Sequence, residues 1–478
     1  MYKKERNRQF GLTDFNQPIG LKMNPENRWI RKAELIPWEE IEDRYANLFP
    51  SHTGMPAKPL RMALGSLMIQ KQFDYSDREL VEQITENPYY QYFIGLHGFQ
   101  QDAPYAPSLL VEFRKRLPDE VLDEINELIL QYNRPDDPGS GNGSSAQEES
   151  EETKHDGTLI LDATCAPQHI KYPQDINLLN EARECLEQMI DTVCYESNIK
   201  KPRTYRKNAR KDYLALAKRR KRTGKAIRKA IKKQLQYVRR DLGYIDRFLS
   251  EGQALSTKNA KQLEVIRKLF EQQQFMYENR THSVADRIVS ISQPYIRPIV
   301  RGKAKTPTEF GIKLDVSLDE HGVARIERQS FDAYNESDVL IGAVERYKER
   351  TGRYPKRVLA DTIYRTRTNR SYCKQRGIRL SGPALGRPKK DSRADKKQEY
   401  RDAVDRIEVE RSFSLAKRCF GLGLIRTKLE GTSRGSVSLS ILTMNVDRLL
   451  SRSLGSFFAW IFLQFFEPED CENDVVGA

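Results

Sequence analysis

Two short apolar runs, each ending on an aspartate, constrain the fold of this chain most. They are Thr158-Leu159-Ile160-Leu161-Asp162-Ala163-Thr164 and, much later, Arg357-Val358-Leu359-Ala360-Asp361. Each is too short for a buried helix and too apolar for a surface, which predicts a buried strand with an acid at its tip. If the two strands pair, their matching ends converge and the carboxylates become neighbours. Bound cations would relieve the repulsion.

Charge is the second constraint. The chain of 478 residues carries a formal net charge of +14, but Lys200 to Arg240 alone holds 19 Lys and Arg against the single acid Asp212. That segment is +18 and the remainder slightly acidic, so the basicity belongs to one device that suits a polyanion. Its second half places Ile227, Ile231, Leu235, Val238, Leu242, Ile245 and Leu249 at steps of four and three, the seam of a helical hairpin or coiled coil. A second helix through Leu263, Ile266, Leu269 and Met276 can fold back on it. A merely solvated helix face does not need so much charge of one sign.

The flanking segments divide the chain. Residues 1–133 read as short helices, with Leu60, Leu64, Leu67 and Met68 at helical spacing and a capping box at Ser76-Asp77-Arg78-Glu79. Such a bundle could hold a helix-turn-helix. Residues 134–155 are rich in Gly, Ser and acid and predict a flexible linker. The expected main domain is 156–453, with the basic helical insertion at about 175–285. Within it, β-type runs at Arg287–Ile291, Phe310–Leu318 and Val323–Ile326 precede alternating helices and short strands. This pattern predicts an α+β or α/β arrangement, a mixed sheet flanked by helices. The apolar run Leu454–Phe466 is too short to span a bilayer and reads as a packing or subunit-contact helix in a C-terminal segment, 454–478. Six scattered cysteines and an N-terminus without a signal-peptide stretch point to free thiols in a reducing, cytoplasmic setting with no membrane partner.

Three blocks in order, Leu161-Asp162-Ala163-Thr164, Leu359-Ala360-Asp361-Thr362-Ile363-Tyr364-Arg365 and Arg406-Ile407-Glu408-Val409-Glu410-Arg411 through Lys417, resemble the catalytic blocks of DDE transposases from bacterial insertion sequences. Leu60 to Leu96 is similar to the helical domain that precedes the catalytic core in one group of them. The resemblance implies an RNase H-like core with Asp162, Asp361 and Glu410 as catalytic and metal-binding acids, Asp361 following the fourth strand. It implies two Mg²⁺ ions, with Mn²⁺ as a substitute. Double-stranded DNA, as transposon ends and target, would be the partner of a homodimer or higher oligomer at the bacterial nucleoid. The family's Y-R-E-K signature leaves three residues between Arg and Glu and six between Glu and Lys, which Arg406, Glu410 and Lys417 satisfy. Its Tyr falls on Ala403.

Hard carboxylate oxygens suit Mg²⁺, and paired ions suit phosphoryl transfer. Arg406, Lys417 and Arg365 are expected at phosphates, as are Arg219, Arg220, Lys221, Arg222, Arg228, Lys229, Lys232 and Lys233 of the insertion. Glu408 lies two residues from Glu410 and points elsewhere, as a surface charge. Asp286, Asp315 and Asp332 are rivals for the second acid, but no apolar strand ends at them. Gly386-Arg387-Pro388-Lys389-Lys390 resembles a minor-groove arm. His155 and His169 lack ligand spacing and read as structural. The bland alternatives are a strand-end Asp that caps a turn and a Glu410 that pairs with Arg406. At the level of function, the alternatives are an inactive transposase-derived DNA-binding protein and an RNase H-like nuclease.

Overall fold

The computed structural model describes residues 11–18, 20, 22–46, 57–134, 155–300, 308–382 and 393–465. Residues 135–154 of the linker expected at 134–155, the loop at 386–390 and Cys471 lie outside the described residues, as do the side chains of the apolar run from 454 onward.

Among the described residues, seven α-helices come first: α1 (Arg28–Glu34), α2 (Trp38–Ala46), α3 (Leu60–Phe73), α4 (Asp77–Glu86), α5 (Pro88–Phe93), α6 (Leu109–Arg116) and α7 (Asp119–Tyr132). The capping box forms as expected: Glu79 N donates to Ser76 Oγ at 3.3 Å, and Ser76 N donates back to the Glu79 carboxylate. Trp29, Trp38 and Phe93 meet edge to face at the centre of the bundle. Buried Arg61 lies over Trp38 and donates to the carbonyls of Tyr92 and Phe93, so its charge is stacked and its N–H groups are used.

The central strand is β1 (Thr158–Pro167), buried on both faces, which is why its sequence is continuously apolar. It leads into the insertion, a helical unit of α8 (Asp175–Glu196), α9 (Arg206–Ala217), α10 (Gly224–Ser250) and α11 (Thr257–Asn279). The seam residues Leu235, Val238, Leu242 and Ile245 of α10 are buried with Leu179, Leu186 and Ile190 of α8 and Leu263, Ile266 and Leu269 of α11. The chain then returns as β2 (Arg297–Val300), β3 (Thr308–Leu318) and β4 (Ala324–Ser330), followed by α12 (Val339–Thr351), β5 (Arg357–Ala360), α13 (Arg367–Gln375), β6 (Arg379–Leu380), α14 (Arg393–Cys419) and α15 (Glu430–Phe465).

The result is a mixed α+β protein. The sheet order is β2-β3-β1-β5-β6, with β4 also paired to β3. β1 runs antiparallel to β3 and parallel to β5. One face packs on α14 and α15 through Ile160, Leu314, Val316, Leu359, Val409, Phe413 and Ile441. The other packs on α12 and α13 through Leu159, Leu161, Val358, Leu340, Val344 and Cys373.

Three details differ from expectation. Arg287–Ile291 is not a strand: Ile288 and Ile291 enter the core of the insertion and Val289 that of the sheet. Its alternation reflects burial in two directions, with no partner strand. Because short β2 was not foreseen, Asp361 follows the fifth strand of the chain and not the fourth. Finally, α15 begins at Glu430 and continues without a break past residue 453.

Candidate active site and nucleic-acid interface

The register of β1 and β5 decides which acids meet. Leu161 faces Ala360 in a parallel ladder, so Asp162 and Asp361 are the next residues beyond the last pair. They share the side of Ile160 and Leu359, which are buried with α14. The Asp162 side chain is largely buried and accepts the Ala163 amide at 2.8 Å. Burial pushes its carboxyl above the usual range, and the charges of Asp361 and Glu336 add to this, against the pull of the Ala163 amide and Arg406. Asp361 is exposed and caps a 3₁₀ turn at Thr362–Tyr364, its Oδ1 accepting from Thr362 N at 2.6 Å.

Asp162 is not at a strand tip as expected, because β1 runs on to Pro167 paired with β3; helix α14 is clamped over the end of the β1/β5 ladder. Its Asp402, 4% exposed, receives Arg379 Nη2 at 2.7 Å and lies 3.4 Å from Arg357, tying the helix to β6 and β5. Val409 and Phe413 fill the core one and two turns beyond Arg406. Arg406 is thereby placed 3.6 Å from both Asp162 and Glu410. Glu410 is the more exposed of the two acids, at 57%. Lys417 lies on the side of α14 that Glu410 occupies, two turns on, and Ala403 two turns back. Glu408 points away and pairs with Arg448 of α15 at 3.2 Å, so it helps join the two helices. The bland alternatives are thus realised too, since Asp361 caps a turn and Glu410 pairs with Arg406. Among the described residues no three acidic, His or Cys groups converge closely enough to hold a metal. The positive charge between Asp162 and Glu410 is supplied by Arg406.

Of the rival acids, Asp315 is buried on β3 and faces Ala163. Asp332 is exposed beside Arg297, and Asp286 sits in a turn with φ 49°. His155 Nε2 lies 2.5 Å from the Arg376 carbonyl, a structural contact. Arg365, partly buried, lies where a side chain on Gly382 would project. The sequence reading missed Asp402 and the partners of Asp315, Tyr334 and Tyr364. Tyr364 falls inside the second transposase-like block, but nothing in the sequence joins it to Asp315. The acids lie where the β1/β5 ladder ends, whereas a cavity of about 370 Å³ lies between α3, α4 and α15, where Lys71 donates to Ser436 Oγ at 2.6 Å.

On the insertion, Arg219, Arg220, Lys221 and Arg222 are exposed where the chain passes from α9 to α10, and Lys229 and Lys232 are exposed on α10. Arg228 instead stacks on Tyr277 at 4.0 Å and donates to its carbonyl at 2.7 Å. Lys233 pairs with Asp212 at 2.6 Å. Both cations are used within the insertion, which a count of charge cannot foresee.

Comparison with known proteins adds to this geometry. Residues 358–447 match the family described as Transposase DDE domain, and residues 20–116 match that described as Transposase domain (DUF772). Together the two matches indicate an insertion-sequence transposase. The first match spans Asp361, Arg406, Glu410 and Lys417 of this chain, and the second spans α1 to α6. An uncharacterised protein, ORF8 of the nfe locus of Rhizobium meliloti, is 28% identical over 172 residues, which make up 36% of this chain and 77% of that protein. No solved structure matches. A DDE domain implies an enzyme that cuts DNA by phosphoryl transfer, a family chemistry that uses divalent metal ions. No helix among the described residues is long and apolar enough to cross a membrane.

Proposed function

We propose that this transposase cuts phosphodiester bonds at the ends of its element and joins the freed 3′ ends to target DNA, with Asp162, Asp361 and Glu410 as its acids. The observation that carries the reading is the β1/β5 register, whose last pair, Leu161 and Ala360, is followed on each strand by one of the two aspartates, with Arg406 3.6 Å from both Asp162 and Glu410. The order β4-β3-β1-β5-β6, antiparallel on one side of β1 and parallel on the other, supports an RNase H-like core. The division into residues 1–133, a linker at 134–155, a catalytic domain at 156–453 and a tail at 454–478 belongs to the same proposal.

The donor type suits a hard divalent cation: the three are carboxylates, and Asp162 is held largely out of water, where its charge gains from a cation beside it. Asp162, Asp361 and Glu410, which do not converge on one point in this structure, would be drawn together around two Mg²⁺, or Mn²⁺, and the ions would lower the pKa of water and neutralise charge on the phosphoryl group. Arg406 and Lys417 hold the flanking phosphates on the Glu410 side of α14. Water attacks phosphorus and the O3′ atom leaves as a 3′-hydroxyl. In the second step that hydroxyl attacks a target phosphorus, displacing the target's own O3′. The insertion, entering between the two aspartates in sequence, holds duplex DNA through its exposed cations. Two or more copies would engage the two ends.

The test is Asp162→Ala on DNA that carries the element's termini. Cleavage in Mg²⁺ should disappear while DNA binding persists. Cleavage that survives the substitution sinks the assignment. Binding without cleavage in the unaltered protein would mark an inactive DNA-binding derivative. Failure to join a pre-cut 3′ end would mark a nuclease.

A further inference from the structure

We propose that buried Asp315, held by the hydroxyls of Tyr364 and Tyr334, is a positioning residue that fixes the Asp361 turn against the central strands. The inference rests on the reading of Asp162 and Asp361 as the acids of the reaction. The β1/β5 ladder ends at the pair Leu161 and Ala360, so Asp361 is the first residue beyond it and its side chain belongs to the turn that follows.

That turn is tied at both ends. Tyr364 N donates to the Asp361 carbonyl at 3.0 Å, closing the turn that the Asp361 side chain opens. The Tyr364 carbonyl accepts from Asn369 Nδ2 at 2.8 Å, and the same Nδ2 also donates to the Ser337 carbonyl at 2.7 Å. These bonds hold the turn to its own neighbourhood. The Tyr364 hydroxyl reaches further, donating to Asp315 Oδ1 on β3. Asp315 is fully buried and stands opposite Ala163, the residue after Asp162. The bond therefore joins the Asp361 turn to the strand whose register with β1 is set by a continuous ladder.

The carboxylate is built as an acceptor for two hydroxyls. Its second oxygen takes the Tyr334 hydroxyl. Burial, and the adjacent Asp315, raise both tyrosines far above their ordinary range, so both remain donors. Lys313 is directed to Glu336 at 2.8 Å and to the Tyr334 carbonyl at 2.9 Å. It thus balances the acid whose charge also reaches Asp162 and fastens the Tyr334 backbone.

Tyr364→Phe in the full-length protein keeps the ring and removes the bond, and Asp315→Asn weakens both bonds at once. Hydrogen exchange followed by mass spectrometry should show the amides of residues 362–366 roughly tenfold less protected in either variant, with β1, β3 and α14 unchanged. Titration with Mn²⁺ alone should need roughly tenfold more metal. Cleavage should recover at high Mg²⁺, with DNA affinity unaltered. Unchanged exchange and Mn²⁺ titration overturn the proposal, as does faster exchange spread evenly over β1, β3 and α14, which marks a purely structural bond. If the unaltered protein does not cut DNA, the assignment of the acids fails, and exchange at the turn still decides the anchoring.

Discussion

At the scale of single residues, Arg406 holds the candidate site together. It lies 3.6 Å from each of two carboxylates that would otherwise repel, and it opposes the rise of the Asp162 carboxyl. Arg406→Ala should slow single-turnover DNA cleavage roughly 10- to 100-fold, the range for residues that orient metal-holding groups. The melting midpoint should barely move, because the side chain is 29% exposed and touches no core residue through its charge. Arg406→Lys should recover only part, since a point charge cannot span two carboxylates as a planar fork does. Equal rates for both variants and the unaltered protein would remove Arg406 from the site. Motif spacing singled out Arg406 and Glu410, and Glu408 could be set apart from Glu410 because residues two apart on a helix diverge by about 200°. The role of Asp315 was not legible. An acid inside an apolar strand gives no sign of which hydroxyls will reach it.

At the scale of elements, the insertion separates charge that faces solvent from charge that faces protein. Lys229 and Lys232 are exposed on α10, whereas Arg228 rests on Tyr277 and Lys233 on Asp212. Replacing Lys229 and Lys232 together by Ala should lower the slope of log affinity against log salt by about 2, near one for each phosphate that is no longer neutralised. Unfolding should be unchanged in that variant. Arg228→Ala should instead loosen the hairpin, costing ~1 kcal/mol for the stacked cation, read as a lower unfolding midpoint with a smaller change in slope. An unaltered slope in the double variant would remove these lysines from the DNA path. The helices of the insertion were readable because seam residues repeat at helical spacing. The segment at Ile288 to Ile291 was misread for a related reason: alternation reports two-sided burial, and a strand additionally needs a partner edge.

At the scale of the whole molecule, α15 joins the N-terminal bundle to the sheet. Asn445, fully buried, donates to the Ala324 carbonyl at 2.7 Å and to Asn126 at 2.9 Å, and accepts from Ala324 N. Along the same seam burial, with Asp119, Glu120 and Glu127 nearby, pushes the Asp123 carboxyl up to about 7. Burial raises Asp315 to about 6 and Asp241 to about 7 in the same direction. For such groups the folded state binds the proton more tightly than the unfolded chain. Their contribution to stability is therefore complete below the ordinary carboxyl range and is lost as pH rises through about 6 to 7. The melting midpoint should fall between pH 5 and pH 8. Asp123→Asn should melt higher than the unaltered protein at pH 8, by roughly 2–4 °C for each kcal/mol regained, and by clearly less at pH 5, where only part of the contribution has been lost. A shift of the same size at both pH values would refute the burial account. What the sequence by itself determined is local and periodic: the two buried strands, the helical insertion with its charge, and the spacing of Arg406, Glu410 and Lys417. Strand burial and helical phase follow from the order of apolar residues, so they can be read along the chain. The pairing of β1 with β5, the ties of Asp402 and Asp315, and the division of cations between solvent and protein were decided only by the tertiary structure. Each depends on groups far apart in sequence, and nothing along the chain records which distant partner completes a hydrogen bond or a ladder.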